Sequence, residues 1–190
     1  MKQYLLSASG RLHHNNGQPC TAKEVDSREV AVPHLTPHVE RWTLPRGENI
    51  GVLVVYSCHC WTSQYRSEPG VDELKIMDGL RARIFDSARF QASKELPELI
   101  SSMQRFRIYV TSSERNYGVY NMRFTASDGL SYTAFFMVRK KKGRFDGVRH
   151  TLVLSVESAY RIAQPQKGMK TSLRAILAAA LRGETVRYRR

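Results

Sequence analysis

The chain has 190 residues, 42% of them hydrophobic and 25% charged, which suits one folded domain with no need of a disulfide or metal staple. No stretch approaches the roughly 18 apolar residues of a membrane span, and Met1–Leu6, soon followed by Arg11, His13 and His14, reads as too short for a signal peptide. Lys and Arg number 30 against 17 acids, a net charge of +13.

The charge is concentrated. Residues 139–190 hold 14 basic and 3 acidic side chains, so +11 of the +13 falls in the last 52 positions. Such a density predicts a polyanion partner, RNA or DNA, because each phosphate neutralised releases condensed counterions. The three cysteines, two of them Cys58 and Cys60, make no disulfide framework and point to a reducing cytoplasm. No membrane partner and no cofactor are expected.

Residues 7–49 are rich in Pro, Gly, His and Asn and keep neither helical nor strand periodicity. Residues 1–49 therefore read as an irregular N-terminal arm with at most one short element near Lys23–Val32. Ile50–Tyr56 is a continuous apolar run with three valines, a buried strand. Leu74–Met77 and Arg81–Phe85 flank Asp78-Gly79, the strongest short hairpin signal in the chain. Ser93 suits an N-cap, and Leu96, Leu99, Ile100 and Met103 share a face, which predicts a helix over 94–103 with Pro97 in its first turn. Four strand-like runs follow: Phe106–Thr111, Val119–Thr125, Leu130–Arg139 and Thr151–Tyr160. Asn116-Tyr117-Gly118, Ser127-Asp128-Gly129 and Lys142-Gly143-Arg144 separate them as turns, so the four form an antiparallel meander. Leu173, Ile176, Leu177, Ala180 and Leu181 repeat at helical spacing, with Thr171 or Ser172 as cap and Gly183 as stop. The expected fold is α+β, a twisted antiparallel sheet with helices on one face and an open, polar second face. The single domain spans 50–183, and 184–190 form a basic tail.

Cys58-His59-Cys60 invites a zinc reading, with His34, His38 and Cys20 as further donors. If Ile50–Tyr56 continues as strand, however, Cys58 and Cys60 face one way and His59 the other, so no metal is expected. His59 then stands as a candidate general acid or base, because its pKa lies near neutral pH. Thr62 suits a phosphate contact or a turn. Strand alternation places Leu152, Leu154, Val156, Ser158 and Tyr160 on one face of the last strand, and Val153, Ser155, Glu157 and Ala159 on the other. On that scheme Arg123, Arg139, Ser155 and Glu157 share the open face with His59. His59, Arg123 and Glu157 are then the candidate catalytic set for metal-independent RNA cleavage: a base, an acid and a cation for the phosphorane-like transition state. Arg139, Lys140, Lys141, Lys142, Arg144, Arg149, Lys167 and Lys170 are the candidate nucleic-acid contacts, with Tyr117, Tyr120 and Tyr132 as stacking candidates.

The His59-Cys60-Trp61-Thr62 turn, the Phe85-Asp86 lead into Ser93-Lys94-Glu95-Leu96-Pro97, and the Val156-Glu157-Ser158-Ala159-Tyr160 strand resemble bacterial proteins labelled stationary-phase growth-adaptation proteins. That resemblance implies a shared fold over about 130 residues and no reaction. A helix followed by a basic four-stranded meander is similar in architecture to the RelE and barnase class of small ribonucleases. Together these give a toxin-like endoribonuclease as the expected function, with a non-catalytic RNA- or DNA-binding protein or a zinc-stabilised interaction module as alternatives.

Overall fold

The computed structural model describes residues 4–6, 12–14, 32–44, 47–64, 75–78, 81–111, 119–125, 131–162 and 168–186. In chain order the strands are β1 (Tyr4–Leu6), β2 (Leu12–His14), β3 (His38–Thr43), β4 (Asn49–Tyr56), β5 (Thr62–Gln64), β6 (Lys75–Asp78) and β7 (Arg81–Phe85). After helices α1 (Ser87–Ser93) and α2 (Leu96–Ser101) come β8 (Ile108–Thr111), β9 (Tyr120–Thr125), β10 (Ser131–Phe145), β11 (Val148–Ile162), β12 (Gly168–Thr171) and helix α3 (Leu173–Leu181). Short 3-10 turns occupy Pro33–Leu35, Cys58–Cys60 and Met103–Arg105.

The main sheet has the order β12-β8-β9-β10-β11-β4-β3, and a smaller one has the order β5-β7-β6. The α+β class read from the sequence holds, and so does the antiparallel run β8-β9-β10-β11. One pairing departs from the meander. β4 lies parallel to β11, from Val52 opposite Leu152 to Tyr56 opposite Val156, because the chain between them makes a long crossover. The segment expected to be an irregular arm supplies β3, paired antiparallel with β4. Leu35, Trp42 and Leu44 from that segment are buried in the main core.

That core lies under the helices. Leu96 and Ile100 of α2, with Leu173, Ile176 and Leu177 of α3, pack in one cluster with Val52, Val54, Met122, Leu152 and Leu154. Burial of this apolar surface is the main stabilising term, at roughly 25 cal/mol per Å². The helix expected over 94–103 is the shorter α2, Leu96–Ser101, and a separate helix, α1, precedes it. Asp86 caps α1 by accepting a hydrogen bond from the backbone N–H of Arg89 (3.0 Å), so Ser93 becomes the buried last residue of α1 rather than a cap. Pro97 then sits in the first turn of α2, where its missing N–H costs nothing. Ser172 caps α3 through the N–H of Ala175, and Gly183 ends it at φ +78°.

The second face is not the open polar surface expected. Leu53, Val55 and Val153 are buried there with Val39 and Phe145 packed against them, and Asn121, Thr133 and Ser155 are also buried. A bulge breaks the alternation expected of β11. The register steps from Phe135 opposite Ser158 to Phe136 opposite Val156, leaving Glu157 as an extra residue. Ala159 therefore joins the core with Val156 and Leu154 instead of facing away from them.

Candidate functional site

Among the described residues, two places collect chemistry-bearing side chains. The first is the corner where β4 ends. The Ser57 N–H still donates to the Val156 carbonyl (2.9 Å), but the strand does not continue. Ser57 accepts a side-chain hydrogen bond from the His59 N–H (3.2 Å), and Cys58–Cys60 wind into a 3-10 turn. This corrects the strand geometry on which opposite faces for the cysteines and His59 depended. Cys58 and Cys60 are buried free thiols, while the His59 side chain is 32% exposed and the Asp78 side chain 20%. Asp78, at the end of β6, brings its Oδ2 to 2.6 Å from Nε2 of His59.

Two arginines brace this corner. Arg83 of β7 donates from Nε to the Thr62 hydroxyl (2.6 Å) and from Nη2 to the Thr62 carbonyl (2.9 Å). Arg89 of α1 donates to the carbonyls of His59 (3.3 Å) and Thr62 (2.9 Å). The Thr62 hydroxyl in turn donates to the Cys58 carbonyl (2.8 Å), so Thr62 closes the turn. Burial lowers the pKa of His59; the hydrogen bond to Asp78 opposes this, and Arg83 and Arg89 reinforce it. Burial pushes the Cys58 thiol up to about 12, with the Asp78 charge adding to the rise. The Cys60 thiol is raised too, by burial, Cys58 and Glu157.

The second place is the far end of the β10–β11 hairpin. Each strand has 15 residues, but β9 accompanies β10 only as far as Phe136. Beyond it, Arg139, Lys140, Lys141, Lys142 and Arg144 are all exposed, as is Arg149 on the returning strand. The turn is not at Lys142-Gly143-Arg144. It is at Asp146-Gly147, whose φ values of +47° and +76° fit a two-residue hairpin turn of the primed type. The lysines therefore lie along the strand and not at its tip. A bulge sits among them: Lys140 faces Leu152 and Gly143 faces His150, so Lys141 and Lys142 together oppose Thr151. Arg144 lies directly opposite Arg149.

The three candidate catalytic residues come from different elements: His59 from the turn after β4, Arg123 from β9 and Glu157 from the bulge of β11. Arg123 alternates with the core residues Met122 and Phe124, so it lies on the face away from the helices. There its guanidinium stacks over Tyr109, 4.6 Å from the ring centroid, and its Nε and Nη2 are buried without a hydrogen-bond partner. Its register partners Thr133 and Tyr160 put it two strands from β11, about 10 Å across the sheet. Glu157 is the bulged residue of β11, close enough to Cys60 to act on its thiol. The charges acting most strongly on His59 are Asp78, Arg83 and Arg89. Nor does His59 share a groove with the lysines. The Arg149 carbonyl lies against Gly51 and the Val156 carbonyl against Ser57, seven residues or roughly 23 Å along β11.

Of the remaining candidates, Lys170 is exposed on the edge strand β12, away from the hairpin end. Tyr120 and Tyr132 are core residues. His34 and His38 are engaged elsewhere, His34 with the Ser93 hydroxyl (2.8 Å) and His38 with Glu40 (3.3 Å). Lys167, Tyr117 and Cys20, two of the expected turns (116–118 and 127–129) and the tail's end at 187–190 lie outside the described residues. Sequence reasoning missed Asp78 as a partner of His59, and Arg83 and Arg89 as its frame. The Asp78-Gly79 hairpin signal was the one available clue.

The YjaZ family profile matches residues 22–181, from before the first 3-10 turn to the last residue of α3. The chain belongs to the YjaZ family. No curated protein and no solved structure matches it. The match includes both the His59 corner and the cationic hairpin, but it lends no support to a stationary-phase role or to the likeness to RelE and barnase.

Proposed function

We propose that this YjaZ-family chain is a nucleic-acid-binding protein that grips the phosphate backbone of RNA or DNA with the outer part of the β10–β11 hairpin. The observation that carries this reading is the row of exposed cations Arg139, Lys140, Lys141, Lys142 and Arg144, with Arg149 opposite Arg144. Like charges placed directly across a ladder destabilise it. A hairpin that retains them gains stability when an anion lies between them. An antiparallel two-stranded ribbon also fits the width of the B-DNA major groove. Binding without cleavage is the favoured form, because His59 and the lysines lie at separate places along β11. Free Cys58 and Cys60 suit a reducing cytoplasm, and among the described residues no helix is long and apolar enough to cross a membrane.

The test is the salt dependence of affinity, measured by fluorescence anisotropy with labelled single- and double-stranded RNA and DNA. Affinity should fall steeply with salt, and replacing Lys140, Lys141 and Lys142 with Ala should reduce the slope by about one unit per lost phosphate contact. Affinity that ignores both salt and the triple substitution would end this reading. Cleavage of RNA by the wild type, lost in His59→Ala, would restore the catalytic alternative.

A further inference from the structure

Cys58, His59 and Asp78 bring a thiol sulfur, an imidazole nitrogen and a carboxylate oxygen within 4.8 Å of one another. Two of the three are consecutive residues. In a strand their side chains diverge, but the 3-10 turn capped by Ser57 lets both point towards the end of β6.

We propose that these three residues form a zinc site with one coordination position left open to solvent. The donor set selects the metal. Thiolate, imidazole and carboxylate are all zinc ligands, whereas magnesium and calcium take oxygen alone. The thiolate and the Asp78 carboxylate together offset the two positive charges of the ion. Exposure fits an open site: Cys58 is buried, while the side chains of His59 and Asp78 are partly exposed, so the ion and its fourth ligand enter from their side. The turn is also held from behind. Arg89 and Arg83 bond the carbonyls of His59 and Thr62, and the Thr62 hydroxyl bonds the Cys58 carbonyl, which fixes the two adjacent ligands relative to each other. Zinc entry moves Asp78 out of its hydrogen bond with His59 and releases the Cys58 thiol proton to solvent. The nearby charges of Arg83 and Arg89 set the affinity below that of a closed four-ligand structural site. The site is independent of the nucleic-acid reading, since it lies at the other end of β4.

Cobalt(II) serves as the spectroscopic stand-in for zinc. Titrated into the metal-free full chain, it should bind at one equivalent with a thiolate-to-cobalt charge-transfer band and tetrahedral d–d absorption. Zinc should then bleach both. Cys58→Ser should abolish the charge-transfer band, and Asp78→Asn and His59→Gln should each weaken binding by at least about tenfold. A charge-transfer band that survives Cys58→Ser would assign the thiolate elsewhere and overturn the site. If Cys58→Ser fails to fold by circular dichroism, the two partly exposed positions decide. Unchanged cobalt affinity in both Asp78→Asn and His59→Gln would refute the proposal, as would an absence of cobalt binding by the wild type.

Discussion

His150 lies against Gly143 across the cationic hairpin: a Cβ on residue 143 would come within 2.7 Å of the imidazole Nε2. The same ring places its Nδ1 3.0 Å from the Lys141 carbonyl, inside the bulge that sets Lys141 and Lys142 opposite Thr151. A buried histidine in the midst of exposed cations is thus the device that fixes the bulge, and Gly143 makes room for it. Gly143→Ala should displace the ring and cost about 1–3 kcal/mol. It should also lower nucleic-acid affinity without changing net charge. Thermal melts and anisotropy on the same variant check this, and unchanged values in both would mean that the bulge does not depend on the glycine.

Gly51 is the harder case. A Cβ there would meet the backbone carbonyl of Arg149 at 2.3 Å and the Cα of His150 at 3.1 Å. Backbone cannot rotate out of the way, so Gly51→Ala must push β4 away from β11 where their parallel pairing begins. The loss should exceed that of Gly143→Ala, at the upper end of the roughly 1–3 kcal/mol range for overpacking or beyond it. Denaturant melts of the two variants side by side test the order, and a milder Gly51→Ala would contradict the close approach.

Arg144 and Arg149 separate stability from binding. Arg144→Glu replaces a like-charge cross-strand pair by an attractive one, which should stabilise the fold by up to about 1 kcal/mol. Affinity for a polyanion should fall at the same time. A rise in Tm together with weaker, less salt-sensitive binding is the expected pair of results. A variant that binds as well as the wild type would remove Arg144 from the contact surface.

How much of this was legible in the sequence varies by element. β4 announces itself through an apolar run, the β6–β7 hairpin through Asp78-Gly79, β9 through strand alternation and α3 through helical spacing, each strong enough to outweigh local noise. The end of the β10–β11 hairpin does not. Gly143 and Gly147 lie within five residues, and both Lys142-Gly143-Arg144 and Asp146-Gly147 look like turns. The register, the positive φ of Asp146 and Gly147 and the packing of His150 show that the first is a bulge and the second the turn. Glu157 is similar, because one extra residue leaves a strand's composition unchanged while reversing the faces that follow it.

The His59 corner was hidden for another reason. Three residues are too few to carry a period, and Cys58-His59-Cys60 after a valine-rich strand reads as more strand until the Ser57 cap is seen. Its partner Asp78 comes from 19 residues away in a different sheet, a relationship no local pattern encodes. β3 escaped notice because Pro33, Pro37 and Pro45 surround it and mask a six-residue strand whose Trp42 is buried in the core.

His34 ties the first 3-10 turn to α1, and it makes stability depend on pH. Its Nε2 is 2.8 Å from the Ser93 hydroxyl and its ring stands edge-on to Phe90, 5.4 Å between centroids. Burial first, and then the charge of Lys94, lower its pKa below the ordinary 6.5. The folded chain therefore keeps the ring neutral at a pH where the unfolded chain has already protonated it. Over that interval the unfolded state binds more protons, so stability must fall as pH drops below about 6.5 and must level off once the folded ring also titrates. His59, lowered in the same direction, adds a second contribution, so the informative quantity is a difference. Thermal melts of wild type and His34→Gln between about pH 8 and pH 5 should diverge at high pH, where the wild type is the more stable, and converge on acidification. Parallel curves across that range would show that His34 is protonated equally in both states and would remove this link between the N-terminal segment and α1.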